Sequence, residues 1–288
     1  MTTETLFLTL VAETSIHAGA SESEGVVDLP VQREKHNDWP FVAGSGMKGA
    51  MRAKAQTIEG LDIKTLFGPD PKDNNGSDYA GSLQVTDARL LLLPVRSLTG
   101  HYRWICCPAL LKRLERDLHR AGRNNVVFND EVGEGEALPG KLPGKTTLYL
   151  EEYAFSVKDR IAESGLALLK SVLPEDHHDE LENKLAVISD DYFRHLCRAA
   201  IPVNAHIAID SDTKTVRKGK LWYEESLAPD TIMYTMIVVQ KSRNGKMSAA
   251  EGKTAVTEQL FATPYLQVGG NETTGMGWFK VNQVQEDA

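Results

Sequence analysis

The sequence predicts an α+β fold, and three observations carry it. Segments of strand character alternate with segments of helical period, the strand-like segments form an antiparallel-looking set, and long polar loops interrupt them. A chain of 288 residues can bury a substantial core. It shows no internal repeat and no low-complexity tail, so residues 1–288 are expected to form a single domain with inserted loops and helices.

Thr5 to Thr14 reads as the opening strand, because Leu6, Leu8 and Leu10 alternate with polar or small neighbours. Ser15 to Gly25 is a loop, acidic and flexible from Gly19 onward. Gly44 to Gly49 is a glycine-rich turn, and a short helix follows over Gly49 to Thr57, where Ala50, Ala53 and Ala55 favour close packing. Gly68 to Gly81, with its Gly-Pro and Asn-Asn-Gly-Ser steps, is an exposed loop. Gly81 to Leu93 is strand-rich and stops at Pro94.

Pro108 opens a helix to about Arg120, with Leu110, Leu111, Leu114 and Leu118 as its apolar stripe. Gly133 to Lys145 is a connector or projecting hairpin, Leu148 to Val157 is strand-like, and Asp159 to Leu173 is a helix ended by Pro174. Asp179 to Arg198 has helical spacing, with Ser189 to Asp191 dividing it into two short helices. Ala205 to Asp210 and Thr231 to Val239 are strands, Met247 to Ala262 is helical, and Tyr265 to Val268 leads into a terminal glycine-rich loop.

A formal net charge of -8 argues against a general nucleic-acid coat, while leaving room for a narrow basic track, since phosphate contacts answer to local potential. Arg33, Lys35, Lys48, Arg52 and Lys54 are its candidates. Lys214, Arg217, Lys218 and Lys220 form a second cluster that reads equally as a solvated turn. No stretch has the length of a membrane span and the first residues lack a signal-peptide pattern, so a cytoplasmic protein is expected. Cys106, Cys107 and Cys197 have no metal-ligand spacing and are expected as buried or partly buried thiols. Adjacent His177 and His178 lie in an acidic stretch and lack the HExxH spacing of a zinc site.

The stretch from His17 to Arg52 organises the chain. Small residues at Gly44, Ser45, Gly46 and Gly49 let backbone amides approach an anion, and Lys48 and Arg52, four apart, share one side of the helix start. The arrangement suits phosphates, with the carboxylate of Asp28 nearby. It is not a nucleotide-binding P-loop, because Gly44 to Lys48 is one residue too short and Gly49 replaces the metal-binding hydroxyl. Local composition alone equally allows a strand-turn-helix corner whose glycines only pack.

The run Val26-Val27-Asp28-Leu29-Pro30-Val31-Gln32-Arg33-Glu34, followed by Trp39 to Arg52, closely resembles the repeated backbone subunit of type III-B CRISPR effector complexes, a member of the RAMP superfamily. Val268 to Gly277 resembles the glycine-rich loop near the end of such proteins, and Trp222 to Pro229 their Trp-x-Glu-Glu-x-Leu-Pro feature. Gly46 departs from a more usual serine and Met47 from a more usual leucine.

The resemblance implies a modified ferredoxin-like, RNA-recognition-like palm with inserted helices and a projecting thumb. It implies several copies lined along a CRISPR guide RNA together with other type III effector subunits, the thumb of each displacing a guide nucleotide. Complementary target RNA is then cut at regular intervals. Asp28 is the implied cleavage residue and the ligand of Mg²⁺ or another divalent cation, with His17, Glu224 and Glu225 in support. The implied RNA-binding set is Arg33, Gly44, Ser45, Lys48, Gly49, Arg52, Gly269, Gly270 and Gly275. Trp39, Tyr102 and Trp104 are available as stacking surfaces. A non-catalytic RNA scaffold and the related type III-A backbone ribonuclease are the alternatives.

Overall fold

The computed structural model describes residues 3–20, 26–70, 79–123, 127–141 and 144–285. In chain order the first elements are β1 (Thr3–Ala12), β2 (Phe41–Val42), α1 (Gly44–Ala55), α2 (Ile63–Phe67), β3 (Leu83–Val85), β4 (Ala88–Ser97), β5 (His101–Cys106) and α3 (Pro108–Arg120). Next come β6 (Ala137–Pro139), β7 (Thr147–Leu150), β8 (Tyr153–Ser156), α4 (Glu163–Lys170), α5 (His178–Lys184), β9 (Leu185–Ile188) and α6 (Asp190–Ala199). The last are β10 (Val203–Ile209), β11 (Val216–Glu225), β12 (Ile232–Gln240), α7 (Ala249–Thr254), β13 (Tyr265–Gln267) and β14 (Trp278–Gln283).

Every residue from Leu6 to Ala12 is buried, which a strand achieves only inside a sheet covered on both faces. Accordingly β1 lies between β12 and β14, antiparallel to both, and β12 pairs antiparallel with β4. Taking β1-α1-β4 and β12-α7-β14 as the two halves, the strand order β14-β1-β12-β4 is that of a ferredoxin-like palm. Helix α7 packs on β1 and β12. The Thr9 hydroxyl, buried in mid-strand, donates to Val172 O at 2.5 Å, so the segment after α4 meets the palm through β1.

Everything between β4 and β12 is an insertion. It extends the sheet through β5, β9 and β6, and it carries α3 to α6 and the hairpin β7–β8. It ends in a separate two-stranded ribbon, β10–β11, the projecting thumb. Val203, Ile207, Ile209, Val216, Leu221 and Tyr223 are exposed along that ribbon.

Several local expectations are corrected. Gly44 to Gly49 is no turn but the start of α1, because Asp87 Oδ1 accepts the Gly44 N–H at 2.7 Å and a Cβ on Gly44 would stand 2.5 Å from Val85 O. The middle of Asp179 to Arg198 is a strand: Leu185 to Ile188 pairs parallel with β5, where tertiary pairing of a four-residue aliphatic run overrides the helical spacing around it. Pro94 lies inside β4, two residues past Leu92, the last to pair with β12, and stands opposite Trp104 of β5. The helix expected over Asp159 to Leu173 is shortened to α4, and the connector over Gly133 to Lys145 contains β6. The strands β5, β11 and β14 were not anticipated.

Asp117 ties α3 to the palm. Only 3% exposed, it pairs with Arg89 and accepts from the Tyr234 hydroxyl at 2.8 Å, and burial beside that carboxylate pushes the phenol far above its usual range. Removing one partner of a buried pair leaves the others uncompensated. Asp117→Ala is therefore expected to lower unfolding free energy by about 3–5 kcal/mol, whereas Arg96→Ala, at the exposed Arg96–Glu151 pair, costs less than about 1 kcal/mol. Urea denaturation of the two variants checks this, and equal losses would overturn it.

Candidate functional site

The foot of the ribbon is where separate parts of the chain meet. Residues 28–31 run alongside the end of β11: Leu29 N–H donates to Tyr223 O (3.0 Å) and Glu225 N–H donates to Leu29 O (2.9 Å). This docking fixes Asp28, whose Oδ2 accepts the Tyr223 N–H at 2.8 Å while the residue itself stays exposed. One oxygen is thus anchored by the backbone and the carboxylate still faces outward.

His17 meets the same strand two residues further on. Its Nδ1 lies 2.7 Å from Glu225 O, a carbonyl that can only accept. Nδ1 therefore carries the proton in the neutral ring and Nε2 is left as the acceptor. Since Tyr223 and Glu225 are two residues apart on β11, their anchored groups hang about 7 Å apart along it. Glu224 Oε1 stands 3.8 Å from His17 Nδ1 and accepts from the Asn271 side-chain amide. Glu225 turns its carboxylate the other way, accepting from Val31 N–H at 3.0 Å and from Arg33.

The terminal glycine loop closes over His17. Gly270 N–H donates to His17 O at 2.9 Å, Gly277 N–H donates to Ser15 O at 2.9 Å, and a Cβ on Gly269 would sit 2.3 Å from His17 O. Gly19 lies on the ring's far side, where a Cβ would stand 2.7 Å from Nε2. Gly275, by contrast, has open space around its Cβ position.

The α1 side of the palm forms a second region. A basin of about 330 Å³ is lined by Gly44, Ser45, Lys48, Ser82, Lys241 and Arg243, among others. Lys48 donates to Leu83 O at 3.0 Å, and its burial, with Arg52 nearby, holds the amine below the usual lysine range. The Ser82 hydroxyl is buried without a hydrogen-bond partner among the described residues. Gly49 is exposed on the same helix, and Arg52 donates to Gly68 O at 3.1 Å. Arg33 is not in this basin. Its donors go to Glu225, Asp38 O (3.0 Å) and Cys197 O (2.7 Å).

Lys241, Arg243, Ser82 and Asn271 escaped sequence reasoning. A basic turn directly after a strand, Lys241-Ser242-Arg243-Asn244-Gly245-Lys246, was a readable signal for two of them. Trp39 and Trp104 do not offer free faces: Trp39 is 6% exposed under Arg113 and against Phe193, and Trp104 is 1% exposed. Tyr102 is half-buried under the Lys184 amine at 3.7 Å. The stacked pair on the ribbon is instead His206 and Trp222, with centroids 5.5 Å apart. His177 stacks on Trp104 and His178 Nε2 lies 3.0 Å from Lys170 O, so both are engaged in packing.

Among the described residues no three His, Cys, Asp or Glu side chains converge as a metal ion would require. Asp28 stands alone, and its donor set does not by itself build a resident divalent-cation site.

A palm of ferredoxin-like order with a projecting ribbon, and a carboxylate held at the ribbon's foot, define the class. Residues 9–280 match the model of the RAMP superfamily, and the chain belongs to that superfamily. Within it, the CRISPR system Cmr endoribonuclease Cmr4 of Pyrococcus furiosus is 34% identical over 278 residues, covering 93% of this chain and 92% of that protein. The crystal structure of oligomeric Cmr4 from the same organism superposes with a TM-score of 0.76 at 26% identity, over 99% of each chain. A chain in the cryo-EM structure of the type III-B Cmr-beta complex bound to cognate target RNA shares the fold, with a TM-score of 0.74 at 22% identity over 99% of this chain and 98% of that one.

The two glycines of the terminal loop separate clash from strain. Both have left-handed backbone, φ 91° at Gly269 and φ 83° at Gly275. Gly275→Ala is expected to cost about 1–2 kcal/mol from conformation alone, and Gly269→Ala, which also drives a Cβ into His17 O, at least twice that. Thermal unfolding of both variants measures the difference; equal destabilisation would show that the loop does not clasp His17.

Proposed function

We propose that this chain is the repeated backbone subunit of a type III-B CRISPR ribonucleoprotein, holding guide RNA along its palm and cleaving complementary target RNA at regular intervals with Asp28. The observation that carries the reading is the exposed Asp28 carboxylate, anchored by Tyr223 N–H at the foot of the thumb, in a chain 34% identical to a Cmr endoribonuclease. The same relationship favours a cutting subunit over a bare scaffold, and the type III-B form over type III-A.

Cleavage of RNA by its own 2′-hydroxyl requires removal of that proton, attack of the oxygen on phosphorus, and return of a proton to the departing 5′-oxygen. Asp28 supplies a carboxylate to take or orient the first proton. His17, tethered about 7 Å further along β11, is the second proton-handling group: it carries a proton at Nε2 and gives it to the departing 5′-oxygen. Glu224 and Glu225 support them, Glu224 as a charge beside the imidazole and Glu225 as the anchor of the loop. A resident metal is not built by these residues. A divalent cation, implied by the family relationship, would belong to the assembled complex, where RNA phosphates and water would supply the oxygens that Asp28 cannot.

The guide backbone is assigned to the α1 basin, where Ser45, Lys48, Lys241 and Arg243 line one concavity. Gly44 and Gly49 let strand and solvent approach there, with Arg52 one turn on. Gly269, Gly270 and Gly275 border the cleavage site rather than the basin, and Arg33 acts through the loop it fixes. Several copies of the chain, guide RNA, target RNA and other type III subunits are the partners of this reading. Among the described residues no helix is long and apolar enough to cross a membrane, and the cytoplasm is the compartment these partners imply.

Asp28→Asn, present in every copy, tests the assignment. The asparagine oxygen still accepts from Tyr223 N–H, so folding and target binding are expected to persist while cleavage at every regular site falls by roughly two orders of magnitude or more. Wild-type cutting by the fully substituted complex, at matched guide occupancy, would return the chain to the scaffold class.

Lys48→Ala and Lys241→Ala test the basin separately. Each is expected to weaken guide retention and to reduce the logarithmic salt slope by about 0.7, as for one phosphate contact to a single strand. Unchanged affinity and slope in assembled complexes would remove the contact.

A further inference from the structure

We infer that Asn271 is a positioning residue for cleavage, acting through Glu224 on His17; the inference rests on the cleavage role proposed above for the foot of the thumb. Glu224 is 4% exposed, and a carboxylate so withdrawn from water needs a donor to hold one orientation. Asn271 supplies it: its Nδ2 donates to Glu224 Oε1, the same oxygen that stands 3.8 Å from His17 Nδ1. The amide thus sets where the carboxylate charge sits relative to the imidazole.

The backbone at Asn271 is shaped for this contact. The residue has left-handed geometry, φ 61° and ψ 28°, which asparagine tolerates better than most side chains and which turns its amide back toward β11. Its carbonyl accepts from Thr274 N–H at 3.0 Å and from the Thr274 hydroxyl at 2.8 Å, closing the turn. One residue earlier, Gly270 N–H holds His17 O at 2.9 Å. One short segment therefore grips the histidine by its backbone and the glutamate by its side chain, fixing the two relative to each other.

The chemistry follows from the His17 tautomer. Nδ1 donates to Glu225 O, so the proton that His17 gives to the departing 5′-oxygen is carried at Nε2, and the ring is positive until it leaves. The Glu224 charge, steadied by Asn271, lies beside that ring and balances it. A neutral amide in this place orients without competing for the proton, as an orienting third group does behind a nucleophile–base pair. Asn271 itself is not expected to touch RNA.

The test uses guide-loaded complexes carrying Asn271→Gly, Asn271→Asp, Glu224→Gln and the double variant Asn271→Gly/Glu224→Gln in every copy, with single-turnover cleavage measured over a range of target concentrations. Glycine keeps the left-handed backbone and removes only the amide, and aspartate keeps the shape while placing a second charge against Glu224. Asn271→Gly is expected to lower the rate at saturating target about tenfold, on the scale of a misplaced catalytic group, without moving the half-saturating concentration. Asn271→Asp should lower it further, and the double variant should be no slower than Glu224→Gln. A wild-type rate for Asn271→Gly beside a slow Glu224→Gln would overturn the role of Asn271 alone. Multiplying losses in the double variant would do the same. Wild-type cleavage by Glu224→Gln would overturn both this inference and the support assigned to Glu224, while leaving the Asp28 assignment to its own test.

Discussion

Glu225 is the residue on which the geometry of the site depends. Its N–H donates to Leu29 O, its carbonyl accepts from His17, and its carboxylate accepts from Val31 N–H and from Arg33. The Asp28 loop and the His17 segment lie far from the strand end in sequence, 194 residues for Val31 and 208 for His17, yet each is referenced to this one residue. With the carboxylate 6% exposed, its bonds are shielded from water, so they hold more firmly than surface pairs of the same kind. Arg33 gains its meaning from the same contact. It reads in sequence as a cation for phosphate, but its guanidinium joins Glu225 to two backbone carbonyls and so ties loop, ribbon foot and α6 together.

The two glycine-rich motifs look alike in sequence and do different physical work. At Gly44 the missing side chain admits the backbone of β3 and lets α1 begin against the sheet, with Asp87 taking the first amide. Around Gly269 and Gly270 it admits the His17 carbonyl, making a clasp between the two ends of the chain. The first motif opens onto a concavity lined by Lys48, Lys241 and Arg243. Composition cannot separate these cases, because a close approach to protein backbone and a close approach to phosphate make the same demand for a small residue.

What was legible in the sequence followed from strong local signals. The alternation of Leu6, Leu8 and Leu10 marks β1, and Pro108 with its leucine stripe marks α3 to its observed ends. Asp28 and His17 were singled out through the resemblance, which covers both chain ends, and the structure brings both to the foot of the ribbon. Leu185 to Ile188 was misread because four aliphatic residues between helices carry no period of their own, and only the parallel partner β5 makes them a strand. The ribbon strand β11 was hidden for the opposite reason: Arg217-Lys218-Gly219-Lys220 is polar and glycine-containing, so it lacks the pattern of a half-buried strand. Asn271 and Ser82 were beyond reach, since their interest lies in contacts made across more than forty residues or in a contact left unmade.

The ribbon itself shows why the site had to be built at its foot. Two strands alone are marginally stable in water, and this pair exposes Ile207, Ile209, Val216 and Leu221 at about half their free surface or more. Its outer part therefore belongs to the least stable portion of the chain until something covers it. The end of β11 and the residues after it differ: Glu224, Glu225, Ser226 and Leu227 are all buried, and Tyr223, Glu225 and Leu227 bond to residues 16–31. A cleavage group carried at the tip would inherit the tip's freedom. Held by Tyr223 N–H at the foot, Asp28 keeps a fixed relation to the palm that the distal ribbon does not share. On the proposed function, the spacing between cuts would then be set by the spacing of palms.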